Sequence, residues 1–118
     1  MQIIPFDPRK SSRQTFSVSL GNTTVRMTFA YNVVSSKWNM TIRKGDGTSV
    51  EGIPVVPGYP LLRQYRAYAI LDGDIVVTAE GPVESGDRVG YYELGTSYRI
   101  TYLEGDELSR WERENAFV

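Results

Sequence analysis

A chain of 118 residues fits one domain, because domains commonly hold about 100 to 150 residues and a second core needs more chain. Hydrophobic residues make up 41% and charged residues 23%, ordinary globular usage that can bury a core and that rules against a disordered tail. Thirteen basic and fourteen acidic side chains leave a formal net charge of −1, which provides no overall field for a polyanion and disfavours nucleic acid as a global partner.

The absence of cysteine removes disulfides, a thiolate nucleophile and Cys-based metal sites, so stability rests on packing. The absence of histidine removes the commonest general base, the commonest zinc ligand and every Ser-His or Cys-His arrangement. The opening Met-Gln-Ile-Ile-Pro-Phe-Asp-Pro-Arg-Lys has no basic start followed by a long apolar run, and nowhere do about 18 apolar residues follow one another. The expectation is a soluble chain that does not take the usual secretion route and does not enter a membrane.

Residues 1–12 read as an N-terminal arm. From Gln14 to Leu20, Phe16, Val18 and Leu20 alternate with polar residues, the pattern of a half-buried strand. Gly21-Asn22 supplies a two-residue turn, and alternation resumes at Val25, Met27, Phe29 and Tyr31, predicting a hairpin. A third strand over Lys37 to Arg43 places Trp38, Met40 and Ile42 on one face, with Ser35-Ser36 as the connection. Gly45-Asp46-Gly47 turns the chain again. Thr48 to Val56 then reads as an edge strand or an extended segment, since Pro54 cannot donate a ladder hydrogen bond.

In Gly58 to Tyr65 the period changes, and Leu61, Leu62 and Tyr65 share one side of a short helical turn with Pro60 near its start. Tyr68 to Leu71 and Ile75 to Thr78 flank Asp72-Gly73-Asp74, a second hairpin signal. Ala79 to Val89 reads as a loop. Tyr91 to Leu103 returns to strand, with a bend at Gly95, and the charged tail 104–118 holds a short helix from Asp106 that sets Leu108 and Trp111 three apart.

Chemistry has few candidates. Asp72 and Asp74, with Glu80 and Glu84 downstream, could form a carboxylate pair for a hydrolase, but aspartates in an Asp-Gly-Asp turn are usually there for its backbone angles. The same run fails the calcium-loop spacing at once. Asn22-Thr23-Thr24 and Asn39-Met40-Thr41 match the glycosylation pattern without a signal peptide, at the level of chance. Arg9, Lys10 and Arg13 could touch phosphate, yet read better as a solvated arm. The many tyrosines and Trp38 and Trp111 suit either a strand-built core or a contact surface such as a stacking platform for sugars.

The order of these features carries more than any one of them. A Gln-Thr-Phe-x-Val-x-Leu opening leads to an aromatic-x-Asn strand end at Phe29, Tyr31 and Asn32, and then to the Trp38 strand. A Gly-x-Pro-x-Val-x-Gly-x-Pro-Leu-Leu-x-x-Tyr segment follows, through Gly52, Pro54, Val56, Gly58, Pro60, Leu61, Leu62 and Tyr65. The closing strand is Leu94-Gly95-Thr96-x-Tyr98-x-Ile100-x-Tyr102. Over residues 13 to 103 this resembles the small plug-type proteins of contractile-tailed phage baseplates, of which a cyanophage baseplate plug is the representative.

The resemblance implies a structural virion protein that sits in the central hub channel and closes the tail tube before ejection. It implies no enzyme and no cofactor or metal. It also implies a location in the virion tail baseplate after synthesis in the host cytoplasm, and the tail hub and other baseplate proteins as partners, with room for an oligomer there. Its structural positions carry over as Phe16, Asn32, Trp38, Gly58, Leu61, Leu62, Tyr65, Leu94 and Gly95. The tail beyond Tyr102 departs from the family's compact form, and its apolar residues Leu108, Trp111 and Phe117 are the candidate partner interface.

The expected fold is a single all-β domain over 13–103, a small β-barrel or two-layer antiparallel sandwich of roughly seven or eight strands with one short helical turn and a short C-terminal helix. The rival functions are a carbohydrate- or surface-binding β module and a carboxylate-dependent hydrolase. The first needs exposed rings in a cluster; the second needs two carboxyls about 5 to 9.5 Å apart in a cleft.

Overall fold

In the computed structural model, residues 2–68, 71–79 and 89–114 are described. Alternation of apolar and polar residues builds a four-stranded antiparallel sheet from β2 (Arg13–Leu20), β3 (Thr23–Asn32), β4 (Lys37–Lys44) and β5 (Ser49–Pro54), in that order. The β2–β3 turn holds Gly21 at φ +61°, the positive angle a two-residue hairpin needs at its first central position. Beyond β3, the Asn32 side chain accepts the N–H groups of Val34 (2.9 Å) and Ser35 (3.2 Å), which turns four residues back into β4.

The second sheet has the order β1-β7-β6, from β1 (Gln2–Ile4), β6 (Asp74–Ala79) and β7 (Tyr98–Leu103), all antiparallel. The two sheets share no ladder, so the architecture is a sandwich and not a closed barrel. Val25, Met27, Phe29, Trp38, Met40 and Ile42 from the first sheet meet Ile4, Ile75, Val77, Ile100 and Tyr102 from the second in one core.

The motif between the sheets explains how they are held. After β5, the Gly58 N–H donates to Val77 O (2.8 Å) and the Leu61 N–H to Ile75 O (2.9 Å), so this segment runs along the free edge of β6. Pro57 and Pro60 have no N–H to give, which keeps the pairing too sparse for a strand. Leu61 and Leu62 then drop into the core, each 3% exposed, ahead of a 3-10 helix at Arg63–Tyr68 that is kinked at Tyr65. Replacing Leu62 with alanine is expected to cost about 2 to 5 kcal/mol of stability in urea titration; a loss below about half a kcal/mol would place it outside the core.

Several expectations are corrected. Residues 2–6, expected in an arm, are structural: β1 pairs with β7, and Phe6 packs against Phe29 and Trp38 at ring distances of 5.1 and 5.3 Å. Among the described residues the hairpin expected about Asp72-Gly73-Asp74 is not present. Asp74 lies inside β6, which pairs with β7, while Tyr68 closes the 3-10 helix; residues 69 and 70 lie outside the described residues. The strand from Tyr91 starts only at Tyr98, because Gly95 takes φ +86° and its N–H returns to Tyr98 O (2.7 Å) in a tight turn. Of the loop at 79–89, residues 80–88 lie outside the described residues.

The tail is a helix, α1 (Gly105–Glu114), laid on the back of the second sheet. At its start the Glu107 side chain accepts the Glu104 N–H (3.2 Å), one half of a capping box. Leu108 packs with Val76 and Leu103, which alternate away from the main core, and Trp111 covers the group. A ten-residue helix is marginal alone, and this small cluster supplies the packing it lacks.

Candidate functional site

The carboxylates of the Asp-Gly-Asp run do not form a reactive pair. Asp74 is fully buried, and its Oδ1 accepts the N–H groups of Leu62 (2.8 Å) and Ile75 (2.6 Å), fastening the crossover segment to β6. Asp72 is exposed, while Glu80 and Glu84 lie outside the described residues. Two other aspartates also serve the backbone or a neighbour. The Thr48 N–H donated to Asp46 (2.9 Å) holds that carboxyl below its ordinary range. The Arg9 guanidinium bonded to Asp7 (3.0 Å) does the same there. Carboxyls kept ionised this way are poor proton donors near neutral pH. Among the described residues no group of three or more acidic side chains is placed to hold a metal ion.

Of the N-terminal cations, Arg9 is committed to Asp7, while Lys10 and Arg13 line an open depression shared with Phe6 and Phe16.

The aromatic residues are mostly interior. Trp38 is fully buried and touches Phe6, Tyr31 and Tyr91, with ring distances of 5.3, 5.4 and 5.3 Å, and its Nε1–H donates to Tyr91 O (3.3 Å). Phe16 stacks on Phe29 at 6.0 Å, and Tyr98 and Tyr102 are buried. Among the described side chains, which do not include that of Tyr68, the one exposed ring is Tyr92, 69% accessible, seated on Tyr91 at 4.8 Å. A flat platform of several rings is therefore not presented among them.

The positions that carried the resemblance are spread over turns and core. Asn32 shapes the β3–β4 turn, Gly58 takes φ +71° as it approaches β6, and Leu94 is fully buried beside the Gly95 turn. Tyr65 and Phe16 pack partly buried against the core. Of the three tail residues, Leu108 is 7% exposed and belongs to this chain's own packing, Trp111 is partly covered, and Phe117 lies outside the described residues.

What the sequence reading missed is surface. Val33 and Val34, 78% and 93% exposed, cap the β3–β4 turn at the end of the sandwich where Tyr31 and Tyr91 bring up Tyr92. The signal available was two β-branched apolar residues in a turn, where polar ones are usual. A small apolar cleft of about 230 Å³ lies elsewhere, between Ile53, Val56, Tyr59 and Tyr65.

The described residues thus define an all-β two-sheet sandwich with one main core and a few exposed apolar side chains at its surface. Comparison with protein families makes this specific: the chain belongs to the family described as cyanophage baseplate Pam3 plug gp18, which it matches over residues 1–106. Its role is accordingly that of a structural baseplate plug. The match takes in β1 to β7 and stops at the first turn of α1. No curated protein matches the chain.

Proposed function

We propose that this protein is a stopper lodged in the central channel of the baseplate hub, closing the tail tube until ejection, and that it acts without catalysis. The observation that carries the proposal is the plug-family match across nearly the whole sandwich. The physical properties suit the task. A stopper must hold shape under internal pressure, and here both sheets, the crossover and the N-terminal strand converge on one packed core. It must also leave when pushed, which favours a separate domain seated by surface contacts over one woven into its neighbours.

The partners are then the hub and adjoining baseplate proteins, and the place of action is the virion tail. The carbohydrate-binding reading loses support, because Tyr92 is the one exposed ring among the described side chains. The hydrolase reading loses support because Asp74 is buried and engaged by two backbone N–H groups. Phage assembled without this protein are expected to form tails but to lose DNA on storage, measured as nuclease-sensitive DNA released from purified particles. Particles lacking it that keep their DNA as well as the parent would overturn the proposal.

A further inference from the structure

The outer face of the four-stranded sheet carries the outward positions of β2 to β5, which are mainly Ser, Thr and Asn with a few charges. Register fixes who neighbours whom. Arg26 on β3 stands directly opposite Arg43 on β4, with Ser17 on β2 and Ser49 on β5 completing the row. The next rows bring Thr15 beside Thr28, hydroxyls 2.9 Å apart, and Thr28 opposite Thr41. Two like charges set directly opposite on neighbouring strands destabilise a sheet, and both are exposed.

Nothing within the described residues offsets this repulsion. Neither guanidinium makes an ion pair or side-chain hydrogen bond among them, and Glu51, the one carboxylate on that face, bridges to neither. Arg13 and Lys37 add positive charge at other outward positions. Between Arg26 and Arg43 lies a shallow depression of about 350 Å³ that Ser17 and Thr24 also line, a place where an incoming side chain could reach both cations.

We propose that this face docks on an acidic surface of a neighbouring baseplate protein, with Arg26 and Arg43 clamping its carboxylates. The proposal rests on the plug reading for where the neighbour is found. Guanidinium forks match carboxylates in two parallel hydrogen bonds, and the short Ser and Thr side chains let a flat partner come close. A second copy of this chain is a poor fit, since face-to-face docking would set guanidinium against guanidinium. Nucleic acid is a poorer fit than protein, because the face presents few cations and no exposed ring, whereas phosphate-driven binding draws on many contacts.

Two variants test this in purified tails. In Arg26→Lys with Arg43→Lys, a carbodiimide that joins amines to carboxylates is expected to link positions 26 and 43 to aspartate or glutamate of another protein. In Arg26→Thr with Arg43→Thr, copies per tail are expected to fall at least about tenfold. The isolated Thr variant is expected to melt about 1 to 5 °C higher than the parent, since the opposed charges are gone, so lost incorporation cannot be ascribed to misfolding. Full incorporation of the Thr variant, or no cross-link from either position, would overturn the proposal. So would DNA-fragment binding by the parent that the Thr variant loses, which would assign the face to nucleic acid. Absence of the parent protein from tails would instead remove the plug reading beneath it.

Discussion

Trp38→Ala is expected to lower stability by about 3 to 5 kcal/mol, a large part of the roughly 5 to 15 kcal/mol that a domain commonly has. The side chain is fully buried. Its ring is the point where separate parts of the chain meet: Phe6 beyond β1, edge-on at 88°; Tyr31 across the ladder; and Tyr91 from the turns before β7. Truncation therefore leaves a cavity lined by three rings and strips Tyr91 O of the indole N–H. Trp38→Phe should keep most of the packing and lose chiefly that hydrogen bond, costing about 1 to 3 kcal/mol. Urea titrations of both variants, compared at unchanged slope, would measure the two effects separately. A loss below about 1 kcal/mol for the alanine variant would show that the two sheets do not meet at this ring.

Gly95→Ala is expected to cost about 2 to 4 kcal/mol, for two reasons that can be separated. At φ +86° an L side chain is strained, and a Cβ placed there runs into the carbonyl oxygen of Phe6. That backbone cannot give way cheaply, because the Phe6 ring is wedged against Phe29 and Trp38. Gly47 provides the control, with φ +94° and nothing within 4 Å of where a Cβ would stand, so that Gly47→Ala should show the conformational cost alone, about 1 to 2 kcal/mol. Equal losses for the two variants would mean that the Phe6 contact contributes nothing.

These residues also show what the sequence makes legible. The β2–β3–β4 meander could be read because one face of every strand is buried, so alternation survives in the letters. Pro54 marked β5 as an edge for a reason that holds in the structure: its ring offers no donor. The three residues of β1 are too few to show alternation, so nothing in the letters set that stretch apart from an arm. Tyr91 and Tyr92 suggested strand by composition alone, whereas one ring packs inward and the other is exposed across a turn. Asp74 resembled a turn residue; its role depends on the Leu62 N–H twelve positions away, which local pattern does not encode.

The candidate surfaces were less legible for a similar reason. Leu108 looked like a spare apolar residue in a charged tail because its partners, Val76 and Leu103, lie on strands whose other face is the main core. Exposure of Val33, Val34 and Tyr92 is a tertiary fact. The opposition of Arg26 and Arg43 requires the register of two strands, which a shift of one residue would undo.

Electron cryomicroscopy of isolated tails before and after ejection would test the stopper itself. Before ejection, density matching the two-sheet sandwich should fill the lumen of the baseplate hub, and after ejection it should be gone from the channel. A sandwich bound to the outer wall of the baseplate, or one still in the lumen of tails whose DNA has passed, would contradict the account.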